Sequence, residues 1–118
     1  MNHFDTNIPI YLQVVNEIKI KIMNGTLKPN DKIVSVRELA LELGVNPNTI
    51  QRAFAELERQ GLIRTERAVG RYVTDNQILI KECKDQMIKE NIRSFYEYMK
   101  SLGMGKEDII DYLKEEEL

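Results

Sequence analysis

Residues 35–73 read SVRELALELGVNPNTIQRAFAELERQGLIRTERAVGRYV, and the joints of this stretch decide the fold. Ser35 and Glu38 stand at capping-box spacing, where a hydroxyl and a carboxylate satisfy the free amide donors of a helix start. Val36, Leu39, Ala40 and Leu43 follow at i, i+3, i+4 and i+7, the apolar stripe of a short surface helix. Gly44-Val45 closes that helix, glycine accepting the left-handed backbone that a Cβ would penalise. Asn46 then offers a side-chain oxygen to the amides of a second helix, and Pro47 takes its first position, where no N–H is needed. Gly61 ends the second helix. Leu62 to Glu66 and Arg71 to Thr74 read as the strands of a hairpin, with Gly70 expected in its turn. Two helices joined so tightly, with a hairpin behind them, make a winged helix-turn-helix. That arrangement serves chiefly to lay its second helix in the major groove of DNA.

Working outward, Pro9 to Met23 has the spacing of a first helix, with Tyr11, Val15, Ile18 and Ile22 in one stripe and Ile10 and Val14 widening it. Gly25 and the segment Leu27-Lys28-Pro29-Asn30-Asp31 break it. Ile33 is expected in a short strand that joins the wing, and from about Asn76 the pattern turns helical again. The expected fold is therefore mainly α with a small β wing. It comprises a winged helix-turn-helix domain over residues 1–75 and a short helical tail over 76–118.

The length of 118 residues suits one domain or a domain with an appendage, and 42% hydrophobic residues suffice for a small core. The start Met1-Asn2-His3-Phe4-Asp5 lacks the basic-then-apolar run of a signal peptide, and no apolar stretch approaches the length of a membrane span. A single cysteine, Cys83, rules out an internal disulfide and suits a reducing compartment. A cytoplasmic protein without a membrane partner is expected.

A net charge of −2 argues superficially against a polyanion, so its distribution matters more. Residues 1–75 hold ten Lys/Arg against nine Asp/Glu, whereas residues 76–118 hold seven against ten. Within 46–74 the cations are five arginines and no lysine, beside Glu56, Glu58 and Glu66. Arginine's planar fork suits base edges and phosphates. Catalysis finds no support: there is no Ser-His-Asp or Cys-His set, no phosphate loop and no paired-carboxylate motif. No cofactor is expected. Nor is a metal, because His3 and Cys83 are the only imidazole and thiol and stand far apart in the chain.

Projected at about 100° per residue, the helix 47–60 gathers Ile50, Ala53, Phe54 and Leu57 on the side that must face the core. Asn48, Arg52, Ala55 and Arg59 lie opposite, with Gln51 on the flank. Arg52 can donate two bonds to guanine O6 and N7, and Gln51 can bridge adenine N6 and N7. Asn46 and Asn48 sit where helix amides already favour phosphate. The plain alternatives are that Asn46 only caps and that Arg52 only pairs with Glu56 at i+4. Arg37 lies outside its helix's apolar stripe, free to grip a phosphate or to pair with a carboxylate. On the wing, Arg67, Gly70 and Arg71 fall at or near the hairpin tip, where glycine lets backbone approach phosphate or the minor groove, or simply supplies a turn. A winged helix that binds proteins and not DNA would show neutral or acidic residues on this exposed face, against Asn48, Gln51, Arg52 and Arg59.

The run GTLKPNDKIVSVRELALELGVNPNTIQRAFAELERQGLIRTERAVGRYV, preceded by PIYLQ, resembles the N-terminal domain of GntR-family bacterial transcription regulators from about Pro9 to Val73. The elements that carry the resemblance include Gly25, Pro29, Arg37, Gly44-Val45, Thr49, Gly61-Leu62-Ile63 and Gly70. It implies DNA contacts at Arg37, Asn46, Asn48, Thr49, Gln51, Arg52 and Gly70. Many relatives carry Arg or another polar residue where this chain has Pro47, so that contact is lost and base preference is open to change. The 45 residues after Val73 are too few for the larger effector domains of most subfamilies. They resemble the YtrA subfamily, whose tail is a pair of helices used for dimerisation and whose members often govern transporter genes.

The tail's own pattern agrees. Ile88, Ile92, Phe95, Met99 and Leu102 follow alternating spacings of four and three, a seam suited to another helix, and Ile80, Cys83 and Met87 extend it upstream. Gly103 and Gly105 break the helix, and Ile109, Ile110, Tyr112 and Leu113 mark a short second one. At ~1.5–3 kcal/mol per buried side chain, a five-residue seam left in water would forfeit on the order of 7–15 kcal/mol. The short second helix can cover part of it and a second subunit is the expected cover of the remainder, giving a homodimer that matches a palindromic operator with recognition helices ~34 Å apart. A small-molecule effector held among Tyr96, Tyr98, Tyr112, Met87, Met99 and Met104 is left open, ordinary core or interface packing being the alternative.

Overall fold

The structure, a computed structural model, describes residues 4–118; His3, weighed above as a metal ligand, lies outside them. In chain order the elements are α1 (Ile10–Met23), α2 (Val36–Leu43), α3 (Pro47–Arg59), β1 (Ile63–Glu66), β2 (Gly70–Val73), α4 (Gln77–Ser101) and α5 (Lys106–Glu115). They fall into two compact units that divide within α4, after Lys81.

In the first unit, the local signals act as the residue types require. Ser35 Oγ accepts a bond from the Glu38 amide at 3.1 Å and starts α2. Only that half of the capping box forms, for no return bond from the Glu38 carboxylate is made. Gly44, at φ 68°, turns the chain out of α2, and the Val45 amide reaches back to the Ala40 carbonyl at 3.0 Å. Asn46 Oδ1 accepts from the Asn48 amide at 2.8 Å, with Pro47 at the first helical position of α3.

The core is the meeting of three helical stripes with the base of the wing. Val14, Val15, Ile18 and Ile22 of α1 and Leu39 and Ala40 of α2 close over Ile50, Ala53, Phe54 and Leu57 of α3; Ile33, Leu62, Ile63 and Val73 complete it. The stripe of α1 is narrower than expected, since Ile10 is exposed and Tyr11 only half-buried in its first turn. No polar or charged side chain is buried among the described residues.

β1 and β2 pair antiparallel in the register Ile63↔Val73 and Glu66↔Gly70. Glu66↔Gly70 corrects the expectation that Gly70 lies in the turn. The connection is Arg67-Ala68-Val69, closed by the Val69 amide on the Glu66 carbonyl at 3.0 Å, and Ala68 carries the left-handed φ of 60°. Gly70 opens β2 at φ 148°, with the Lys32 side chain lying across the place a Cβ would take. The strand expected around Ile33 is reduced to an isolated bridge, Lys32↔Tyr72, bracketed by the Ile33 amide on the Arg71 carbonyl at 2.8 Å and the Val73 amide on the Asp31 carbonyl at 2.9 Å. β2 is therefore held along both edges, which fixes the wing against the helices.

In the second unit α4 turns through Gly103, at φ 82°, into α5. The Gly105 amide donates to the Asp108 carboxylate at 2.9 Å and starts that helix. Neither α4 nor α5 buries a single residue. Ile88, Ile92, Phe95 and Leu102 are exposed and Met87 and Met99 half-buried; Ile80, half-buried, belongs to the first unit.

Candidate nucleic-acid interface

Burial of one face of α3 dictates what the other presents. With Ile50, Ala53, Phe54 and Leu57 all but inaccessible, Asn48, Gln51 and Arg52 face outward from the first two turns of the helix, beside the exposed cap Asn46. Thr49 is half-buried, its amide bonded to the Asn46 carbonyl at 2.9 Å. Asn46 does cap α3, yet its side chain stays exposed, so capping leaves it accessible to a ligand.

The expected competitor for Arg52 is resolved by its neighbours. Glu56 is taken by Arg59, through bonds of 2.9 and 2.5 Å, and by the Gln60 amide at 2.6 Å. Those donors, Arg59 first, hold the Glu56 carboxyl well below its ordinary value of 4.5, at about 2, and Glu56 in turn raises Arg59. Arg59 is thus tied down on the exposed face, and Arg52 makes no ion pair among the described residues. Its guanidinium instead lies over the ring of Tyr11, 4.0 Å from the centroid.

Arg37 is exposed in the first turn of α2. On the wing, Arg67 is exposed in the turn and Gly70 is half-buried at the start of β2. Arg71, the second residue of β2, is half-buried, with its guanidinium 5.1 Å from the centroid of the Phe54 ring. Arg64 is engaged as well, donating to the Val73 carbonyl at 3.0 Å and meeting Glu66 at 3.4 Å. The structure therefore brings Asn46, Asn48, Gln51 and Arg52 together at the start of α3, with Arg67 on a separate projection. Two side chains escaped the sequence reading. Lys32, exposed, crosses Gly70 at the wing, and Tyr11, assigned to the core stripe, stacks on Arg52. Only a three-dimensional neighbour reveals either. No group of His, Cys, Asp and Glu suited to a metal occurs among the described residues.

Residues 10–73, the whole helix-turn-helix and wing, match the sequence profile of the bacterial regulatory proteins of the gntR family. The chain belongs to the GntR family. Two relatives from Bacillus subtilis strain 168 extend the likeness into the tail. The HTH-type transcriptional regulator YhcF is 39% identical, over 96% of this chain and 93% of its own length. The HTH-type transcriptional repressor YtrA is 38% identical, over 93% of this chain and 85% of its own. Among solved structures, a GntR family transcriptional regulator from Listeria monocytogenes superposes with a TM-score of 0.91 at 44% identity, covering 97% of this chain and all of that one. The DNA-binding domain of AraR in complex with operator ORX1 matches with a TM-score of 0.55 at 36% identity, covering 57% of this chain and 81% of that one. This GntR protein is a DNA-binding transcription regulator and not an enzyme, as its family and relatives are. No described helix is long and apolar enough to cross a membrane.

Proposed function

We propose that the protein is a repressor that binds a palindromic operator as a homodimer in the cytoplasm, reading base edges with the outward face of α3 and gripping the backbone with α2 and the wing. One observation carries this reading: Asn48, Gln51 and Arg52 stand exposed on α3, opposite a fully buried face, with the Glu56 carboxylate already held by Arg59 and Gln60. In this assignment Gln51 and Arg52 read bases; Asn46, Asn48, Thr49, Arg37, Arg67 and the backbone at Gly70 meet phosphates. Arg71 joins through its charge at the base of the wing.

Support for the dimer comes from α4, where Ile88, Ile92, Phe95 and Leu102 keep much of their surface in water and α5 covers only part of the seam. A small effector has a natural place in the tail. A cavity of about 450 Å³ between α4 and α5 is lined by Phe95, Met99, Leu102, Met104, Tyr112 and Leu113, among others. Tyr96 lines a neighbouring groove instead, and Met87 and Tyr98 line neither. Transporter genes are the target class that the family resemblance suggests.

The test is selection of bound duplexes from random DNA by the full chain. The proposal expects a two-fold symmetric consensus, two chains per duplex, and loss of base preference on Arg52→Ala. An asymmetric consensus, or one chain per duplex, would contradict it.

A further inference from the structure

We propose that Tyr11 is a positioning residue for DNA recognition, its ring acting as the platform that holds the Arg52 guanidinium in its reading pose. This rests on the assignment of Arg52 to a base edge. Tyr11 lies in the first turn of α1, forty-one positions away in sequence, and its side chain is only half-buried. The separation of 4.0 Å from guanidinium carbon to ring centroid is well inside the ~6 Å over which a cation is attracted to an aromatic face.

The geometry has a chemical consequence. With its carbon over the ring, a guanidinium lying parallel to it would engage the ring through its π surface and keep its N–H donors at the edges, the groups a guanine O6/N7 pair requires. An arginine restrained in this way loses less rotamer freedom on binding than one that is free in solvent. The arrangement around it is consistent. Glu56, one helical turn on from Arg52, would ordinarily compete for it at i+4. It is instead engaged by Arg59 and Gln60. The other arginines over rings in this unit differ: Arg64, 5.3 Å from the Tyr72 centroid, already serves the Val73 carbonyl and Glu66, and Arg71 is half-buried against the core ring of Phe54. Arg52 is exposed, and its N–H donors meet no acceptor among the described residues.

The experiment uses the full chain and a duplex selected from random DNA by the parent, compared with the same duplex carrying substitutions at the preferred bases. Tyr11→Phe keeps the platform and should bind and discriminate like the parent. Tyr11→Leu keeps apolar bulk but removes the ring, and should lose about two- to fivefold in affinity for the selected duplex, with no comparable loss on the substituted one. In an Arg52→Ala background the same Tyr11→Leu change should add nothing. Thermal melting of each variant separates recognition from folding. Equal or tighter binding by Tyr11→Leu, an equal loss on both duplexes, or a loss that persists without Arg52 would each overturn the proposal. If Arg52→Ala itself discriminates like the parent, the base-reading assignment fails and this inference with it. If Arg52→Ala loses discrimination while Tyr11→Leu does not, only the inference about Tyr11 fails.

Discussion

Ile92→Glu is the sharpest perturbation of the proposed dimer. Ile92 sits mid-seam on α4 with 61% of its surface exposed in the single chain. At ~1.5–3 kcal/mol for full burial of such a side chain, covering that fraction contributes about 1–2 kcal/mol per protomer. Two-fold symmetry counts it twice, so the loss is about 2–4 kcal/mol, about 30- to 700-fold in the dimer dissociation constant. A carboxylate placed in the seam adds a desolvation cost on top. Sedimentation equilibrium across a concentration series measures the constant, and far-ultraviolet circular dichroism checks that the helices persist. Leu41→Glu, on α2 and 78% exposed, is the control for a merely exposed leucine and should leave self-association unchanged. A parent that stays monomeric at tens of micromolar, or an Ile92→Glu variant that self-associates like the parent, would refute the reasoning.

Other consequences concern the joints and the site. Gly44→Ala meets no steric neighbour but forces a Cβ onto φ 68°, so it should cost about 1–2 kcal/mol, read as a lowered urea midpoint. Asn46→Ala removes the acceptor of the Asn48 amide and should cost about 1 kcal/mol in stability as well as weaken DNA binding, whereas Asn46→Asp should keep the cap. The Glu56 carboxyl is depressed to about 2, so the stabilisation from its charged form is complete above pH ~4.5 and lost as pH falls towards 2. Glu56→Gln should therefore flatten the acid limb of a stability profile across that window and leave the profile above pH 5 parallel to the parent's.

Much of the first unit was legible because its decisive signals are local. Ser35, Gly44 and Asn46-Pro47 each act on backbone groups within four residues of themselves, so spacing alone places the turns. The buried face of α3 follows from period, and Ile50, Ala53, Phe54 and Leu57 are all buried as that period requires. What escaped was decided by contacts between distant residues or between equivalent local options. The hairpin put its left-handed φ on Ala68, a residue type that announces no turn, and Gly70 became a strand residue under Lys32. Spacing could not choose between Arg52 at i−4 and Arg59 at i+3 for Glu56; the structure gives the carboxylate to Arg59. Nor could periodicity tell that Tyr11 leaves its stripe to cover Arg52. In the tail the helical period was plain, and the apolar residues that it aligns on α4 stay exposed within the single chain.

Methylation interference on the selected duplex tests the central claim most directly, because dimethyl sulfate marks guanine N7 in the major groove and adenine N3 in the minor groove. With α3 reading the major groove in duplicate, interference should fall on guanine N7 in two clusters, symmetric about the operator centre and about one helical turn, ~34 Å, apart. Arg52→Ala should erase the same guanine from each cluster. Interference confined to adenine N3, or a single unpaired cluster, would contradict the account.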